Sequence, residues 1–600
     1  MNNTVKVLNA WDEKAENTDI GYSRQNVVAF TRGQNLYYSV DGKEQAITNE
    51  TNPGIFYGAN RVHRNEFGIG KGTFWSPDEN CLAFYRMDES MVTEYPLVDI
   101  SGRIATAAPV RYPMAGMTSH KVTLGVYHRQ TGKTIYLQTT SVPGGDTLLK
   151  TEYLTNVTWS PDSKTIFIAT LNRDQNYMEF NQYNAEDGRL IKTHFREQNN
   201  TYVEPMHGPV FLPGNDRRFI WQSRRDGFNH LYLYDVEDGI VSQLTSGSWE
   251  VTDFLGFDEK CSFAYFMANK DNPLERHLFR VDLKTNEIKT LTSTQGTHFV
   301  KVSYDGKYVL DSYSSMSISR QIEVLDDKGR SRQVLLENTN PLKDYTLGAT
   351  DILILKNEEN TDLYARLIKP ADFDSSKKYP VIIYVYGGPH SQLVTNSWLA
   401  GGGLFLNYLA DLGYVVFTLD NRGTSGRGSA FEQAIFRKLG QKEVSDQMTG
   451  VRFLKSLSYV DTTRIGINGW SYGGFMTISM MLRHPGAFKV AVCGGPVIDW
   501  KYYEVMYGER YMDTPQSNPA GYEEACLTNY VKNLNGRLMI IHGDSDGTVV
   551  PQNSLVFLKK CVEEGKQVDF FIYPGHEHNV RGKDRKHLNG KITNYFQDYL

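Results

Sequence analysis

The residues with the clearest chemical potential are Gly469-Trp470-Ser471-Tyr472-Gly473, a serine between glycines. They lie directly after the apolar run Arg464-Ile465-Gly466-Ile467 and directly before a helical pattern from Phe475 to Leu482. A strand that turns sharply into a helix needs neighbours without bulk, which Gly469, Gly473 and Gly474 supply. Such an elbow exposes the hydroxyl and aims the free N–H groups of the helix start at a developing oxyanion. The implied chemistry is nucleophilic: Ser471 attacks, a base takes its proton, and a carboxylate orients the base. G-x-S-x-G alone is a weak motif, so the strand–turn–helix context carries the reading.

Two further segments supply the missing groups. Asp546 follows the apolar run Leu538–Ile541 in His542-Gly543-Asp544-Ser545-Asp546. His578 follows Phe570–Tyr573 in Pro574-Gly575-His576-Glu577-His578. The order serine, acid, histidine, with each on a loop after a later strand, is that of the α/β-hydrolase fold. Asp544 and His576 compete for the two roles, and local order favours Asp546 and His578. Tyr386 ends the run Val381–Tyr386 ahead of Gly387-Gly388-Pro389, where its hydroxyl and the N–H of Tyr472 could serve the oxyanion. By residue type alone, Tyr386 reads first as a core tyrosine.

The elements that must position these groups alternate between strand and helix beyond Pro341. Apolar strands at 381–386, 415–419, 464–467, 490–492, 538–541 and 570–573 predict a doubly wound, mostly parallel sheet covered on both faces. Pro380 suits a strand's first position and not its interior. Before about residue 338 the rhythm differs. The phrase Trp75-Ser76-Pro77-Asp78 precedes a strand at 82–85, and Trp159-Ser160-Pro161-Asp162 precedes another at 166–169. Weaker copies are Phe211–Gly214, Gly256–Asp258, Ser303–Gly306 and Tyr22–Gln25. Four-strand repeats of roughly 40 to 50 residues predict a β-propeller over a β-sandwich. The division expected is 1–340 for the propeller and 341–600 for the catalytic domain. Since the chain opens inside a repeat, an incomplete ring is also expected.

Composition narrows the alternatives. A length of 600 residues implies two domains, and 40% hydrophobic with 22% charged residues describes a folded chain. A net charge of −5 without a basic run gives no case for nucleic acid. There is no apolar run long enough to span a membrane. Five scattered cysteines without a C-x-x-C pair argue against a metal site and against a dense disulfide framework; spacing does not identify a single disulfide among them. The first residues carry no targeting signal, which fits a cytoplasmic protein or a processed form of an exported one.

Taken together, Gly469–Gly474, Asp420-Asn421-Arg422-Gly423, Glu443–Gln447 and the stretch from His542 to His578 resemble the prolyl oligopeptidase clan, in its dipeptidyl peptidase IV branch. The resemblance implies an eight-bladed propeller capping an α/β-hydrolase domain. It matches Ser471, Asp546 and His578 to the triad and Tyr386 to the oxyanion tyrosine. It places Tyr472, Val497, Trp500, Tyr503, Tyr507 and Val549 around a proline pocket; proline, rigid and lacking an N–H, is selected by an aromatic slot through shape and burial. An adjacent Glu-Glu pair binds the substrate ammonium in dipeptidyl peptidases, whereas this sequence has Arg64-Asn65-Glu66-Phe67. One glutamate followed by Phe67-Gly68-Ile69, with Glu504 as a second carboxylate, is similar to bacterial prolyl tripeptidyl aminopeptidases. The expected activity is therefore release of X-X-Pro tripeptides from free N-termini, with Glu66 and Glu504 as ammonium anchors. X-Pro dipeptide release, an endo- or acylaminoacyl-type peptidase, and a silent propeller-based binding protein stand as alternatives. No metal or organic cofactor is implied; a homodimer and, for bacterial members, a periplasmic or cell-envelope location are.

Overall fold

A computed structural model describes residues 7, 9–21, 26–139, 150–338 and 340–600 of the chain. The turn phrase at Tyr22–Gln25 lies outside the described residues. Among these residues, six large antiparallel sheets follow one another along the first half, running from Glu16–Ile20 to Ser331–Leu336, and two small two-stranded sheets interrupt the second of them. Five of them have four strands in simple up-and-down order, and the second has five. The described residues thus form six blades where the family resemblance implies eight. Shared apolar clusters join each blade to the next, as where Leu154, Trp159, Ile166 and Ile168 meet Ala83, Leu124 and Val126.

Four of the five described turn phrases connect the first strand of a blade to its second; in the five-stranded blade the phrase at Trp75–Asp78 connects the second strand to the third. Their chemistry repeats. Ser76 Oγ donates to Asp78 at 2.6 Å, Ser160 Oγ to Asp162 at 2.6 Å and Ser303 Oγ to Asp305 at 2.8 Å. Each hydroxyl oxygen also accepts the N–H of the residue that opens the next strand. In these three turns the side chains replace backbone partners lost at the reversal; Phe211–Gly214 and Gly256–Asp258 lack the serine.

The second half holds one eight-stranded sheet: β1 (Thr350–Lys356), β2 (Asp362–Ile368), β3 (Tyr379–Val385), β4 (Val415–Leu419), β5 (Val460–Trp470), β6 (Val490–Gly494), β7 (Arg537–Gly543) and β8 (Asp569–Tyr573). The spatial order is 1-2-4-3-5-6-7-8; β2 is antiparallel to its neighbours and the strands from β4 onward pair in parallel. Successive residues of one strand feed opposite cores. Val381, Ile383 and Val385 enter one cluster and Ile382 the other. That double burial explains the apolar runs read from sequence. Pro380 lies inside β3, beyond the first position expected of it; it is tolerated because the register shifts between Tyr379 and Val381. Helices α1 (Leu404–Asp411), α2 (Lys442–Ser456), α3 (Tyr472–Arg483), α4 (Val505–Met512), α5 (Gln552–Glu563) and α6 (Asp584–Tyr599) accompany the sheet. No helix among the described residues is long and apolar enough to cross a membrane, and all five cysteines are free.

Candidate active site

Ser471 stands where β5 meets α3, with φ 62° and ψ −120°. This is a strained conformation for a residue with a side chain, of order 1–3 kcal/mol. The surroundings leave no slack. A Cβ on Gly469 would lie 2.2 Å from the Gly473 carbonyl, and one on Gly473 would lie 2.3 Å from the Val385 carbonyl. The elbow is then tied across the sheet by Ser471 N–H donating to Gly494 at 2.8 Å.

The structure separates the competing acids and bases. His578 Nδ1 lies 2.7 Å from Asp546 Oδ2, while Asp546 Oδ1 accepts the N–H groups of Thr548 and Val549, both at 2.9 Å. Asp544 instead accepts the Gly575 N–H at 2.8 Å, and His576 faces Asp584 at 3.0 Å. Burial by itself raises the Asp546 carboxyl, but hydrogen bonds from His542 and His578 outweigh it and bring it down to about 2. An anion at this position fixes the imidazole with Nδ1 protonated, leaving Nε2 as the base. Gly495 lets the ring approach, since a Cβ there would sit 3.1 Å from His578 Cε1.

Two supporting residues escaped sequence reasoning. Trp470, the variable position of the motif, donates its indole N–H to the His578 carbonyl at 2.9 Å. His542 lies 3.3 Å from Asp546 Oδ2 and 2.8 Å from the Val549 carbonyl. Each sits beside a motif residue, and only the fold reveals the contact.

Tyr386 leaves β3 beside the elbow, its ring 6.2 Å from that of Tyr472. Burial raises its hydroxyl's pKa, which keeps it a neutral donor. Tyr472, Val497, Trp500 and Val549 are buried in one cluster, and Tyr386, Tyr503 and Tyr507 pack against it. The rings of Trp500 and Tyr507 stack at 6.1 Å, with Tyr503 edge-on to both at 5.4 and 5.2 Å. Tyr472, which follows Ser471, Trp500, Tyr503 and Tyr507 thus form one chain of ring contacts, while Val497 and Val549 belong to the larger apolar cluster around it.

The amine-end candidates meet across the domain boundary. Glu66 lies on a propeller arm between the strands Ile55–Tyr57 and Thr73–Trp75, and its carboxylate accepts from Arg510 of α4 at 2.6 Å. Arg510 Nη1 also donates to Glu204 at 2.9 Å, and its Nε donates to Gln175 at 2.8 Å. Glu204, buried on a propeller loop, also pairs with His390 at 2.7 Å. Burial opposes its ionisation, yet His390 and Arg510 hold it well below the usual carboxylate range. Asn65 offers no second carboxylate; its amide donates to Asn60 and Ile69 carbonyls.

Glu504 has a structural task that the sequence did not indicate. It caps α4, accepting the N–H groups of Met506 and Tyr507 at 2.9 and 2.8 Å. Burial is the main cause that raises its carboxyl to about 7, with Glu66 adding to the rise and Arg64 opposing it. Helix α4 is thus the hinge piece of the site: it presents Glu504, Tyr507 and Arg510, and Arg173 and Gln175 of the propeller grip its Glu509 side chain and Met506 carbonyl.

Comparison with known proteins agrees with this architecture. Residues 1–320 match the dipeptidyl peptidase IV (DPP IV) N-terminal region, and residues 404–600 match the prolyl oligopeptidase family. A crystal structure from Bacteroides ovatus, provisionally named dipeptidyl aminopeptidase IV, is 47% identical over 98% of this chain and 84% of that one, with a TM-score of 0.92. Dipeptidyl peptidase 4 of Porphyromonas gingivalis is 30% identical over 97% of this chain and 82% of its own, with a TM-score of 0.89. A protein of Uncinocarpus reesii, provisionally named dipeptidyl-aminopeptidase B, is 31% identical over 93% of this chain; the chain spans 64% of that relative's length. Propeller, hydrolase sheet and sequence agree: the chain belongs to the prolyl oligopeptidase family, in its dipeptidyl peptidase IV branch.

Proposed function

We propose that this chain is a serine exopeptidase that cleaves after proline and releases short peptides from free N-termini. The observation that carries the proposal is the His578–Asp546 pair, whose loop is tied to the strained Ser471 elbow through Trp470. With it go the ring contacts that lead from Tyr472 through Trp500 to Tyr507, and the Glu66 carboxylate held by Arg510 of the helix that Glu504 caps.

In this reading the substrate ammonium pairs with Glu66 and Glu504, and a proline ring fills the slot bounded by Tyr472, Val497, Trp500, Tyr503, Tyr507 and Val549. His578 takes the proton of Ser471 as the hydroxyl attacks the carbonyl after proline. The Tyr472 N–H and the Tyr386 hydroxyl stabilise the tetrahedral oxyanion. His578 then gives the proton to the leaving amine, and water reverses the sequence to free the acyl group.

For the length released, the favoured product is an X-X-Pro tripeptide. The support is the single carboxylate on the arm, with Asn65 turned onto backbone carbonyls and Glu504 of the hydrolase domain supplying the second charge. The names carried by the relatives favour X-Pro dipeptides as the second reading. Chromogenic Gly-Pro and Ala-Ala-Pro substrates decide between them. At least tenfold higher kcat/KM for Ala-Ala-Pro is expected; the reverse order assigns dipeptide release.

A further inference from the structure

Resting on that reading, we propose that Arg64 is a positioning residue for the triad: the arm that presents Glu66 also holds the loop that carries Asp546. Arg64 Nη2 donates to the Gly547 carbonyl at 2.8 Å. The N–H of that same peptide unit, on Thr548, donates to Asp546 Oδ1 at 2.9 Å. The next peptide unit repeats the pattern. The Tyr112 hydroxyl donates to the Thr548 carbonyl at 2.7 Å, and the Val549 N–H donates to Asp546 Oδ1 at 2.9 Å. Two consecutive peptide planes are thus clamped between a propeller donor on one side and the triad carboxylate on the other. A cation on the carbonyl polarises the amide and strengthens the N–H bond that it offers to Asp546. The two propeller donors also brace each other, since the Arg64 guanidinium lies 4.7 Å over the Tyr112 ring.

The arm is built to keep Arg64 in place. His63, Arg64, Asn65 and Phe67 have φ of 47°, 52°, 65° and 58°, four non-glycine residues in left-handed conformation around an extended Glu66. Such backbone persists only where the surroundings impose it. His63 does much of this. Its Nε2 accepts the Leu154 N–H of the next blade at 3.1 Å, so the proton resides on Nδ1, which donates to His120 Nε2 at 2.9 Å. Thr155 Oγ, also on the next blade, donates to the Phe67 carbonyl at 3.2 Å. A displacement of the arm by substrate or mutation is therefore transmitted through two peptide bonds to the acid of the triad.

The test uses reactions that need no ammonium contact: labelling of Ser471 by a small fluorophosphonate and hydrolysis of p-nitrophenyl acetate. In Arg64→Met, and more mildly in Tyr112→Phe, the labelling rate and the ester kcat should fall about tenfold and threefold, with unchanged ester KM. Arg64→Lys should recover part of the loss. Tyr112→Phe keeps the test intact if Arg64→Met does not fold. Unchanged labelling and ester kcat in both variants, with only the KM of free-amine peptides raised, would overturn the inference. A wild type that labels and cleaves the ester but no prolyl peptide refutes the proposed specificity and leaves this test readable; a wild type unlabelled at Ser471 refutes both.

Discussion

The elbow and the arm are both strained backbone at the same cleft, yet they are secured in opposite ways. At the elbow the strain falls on Ser471 alone, and its neighbours tolerate it by having no side chains: Gly469 and Gly473 pass within 2.2–2.3 Å of carbonyl oxygens measured from where a Cβ would be. On the arm four residues with side chains take left-handed φ, and partners distant in sequence hold them there. The cost of each such residue is of order 1–3 kcal/mol. The difference teaches where a sequence records function. Hardware for bond making is written locally, as glycines at fixed offsets; hardware for choosing the substrate is written as pairs from 57 to 483 residues apart.

The largest effect should come from the elbow. Ser471→Ala should lower kcat by about a million-fold with little change in thermal stability, as expected when a nucleophile acting in a concerted unit is removed. Single-turnover and melting measurements check it; substantial residual prolyl cleavage would place the nucleophile elsewhere. Next is Gly473→Ala, which directs a methyl at the Val385 carbonyl. Overpacking of this kind costs about 1–3 kcal/mol, and urea denaturation should show it together with loss of turnover. If the variant is stable and active, the elbow is looser than its geometry implies.

The arm should respond differently. Glu66→Gln should raise KM for free-amine peptides about a hundredfold while changing kcat little, because it removes binding and not chemistry. A fall in kcat of similar size would erase the distinction between the two regions. The smallest effect concerns Glu504. Its folded carboxyl lies near 7, above the ordinary carboxyl value, so it gains its charge only as pH rises through about 7. Proton linkage then runs in two directions. The stability tied to the protonated form is complete below about 4.5 and is lost as pH rises through about 7. Ammonium binding, which needs the anion, improves over that upper window until the substrate amine loses its own proton near 8. KM of a free-amine peptide should accordingly fall several-fold from pH 6 to 7.5, and Glu504→Gln should flatten the profile.

The same contrast explains what could be read in advance. The strands of the hydrolase sheet were legible because parallel strands buried on both faces are apolar throughout, as at Val415–Leu419. Three blade turns were legible because a serine and an aspartate two residues apart rebuild the same hydrogen bonds in each. Local order left Asp544 and His576 as rivals; only three-dimensional pairing gives them Gly575 and Asp584 and leaves Asp546 to His578. Arg510, Glu204 and Arg64 had no local signal at all. Each is an ordinary charged residue in sequence, and its partner lies 186 to 483 positions away: Arg510 meets Glu66 at a separation of 444 residues, Arg64 meets Gly547 at 483, and Glu204 meets His390 at 186. Pro380 shows the converse, a proline that departs from its expected first position and sits inside the strand at a register shift that local reasoning does not reveal.

The central claim, that the elbow cuts and the carboxylates at the propeller end require a free N-terminus, is tested most directly by capping the substrate. The measurement is kcat/KM for Ala-Ala-Pro-p-nitroanilide with its amine free and with it acetylated. Acetylation removes the charge that Glu66 and Glu504 would bind, so a loss of at least a hundredfold is predicted. Equal cleavage of the capped and free substrates would contradict the account.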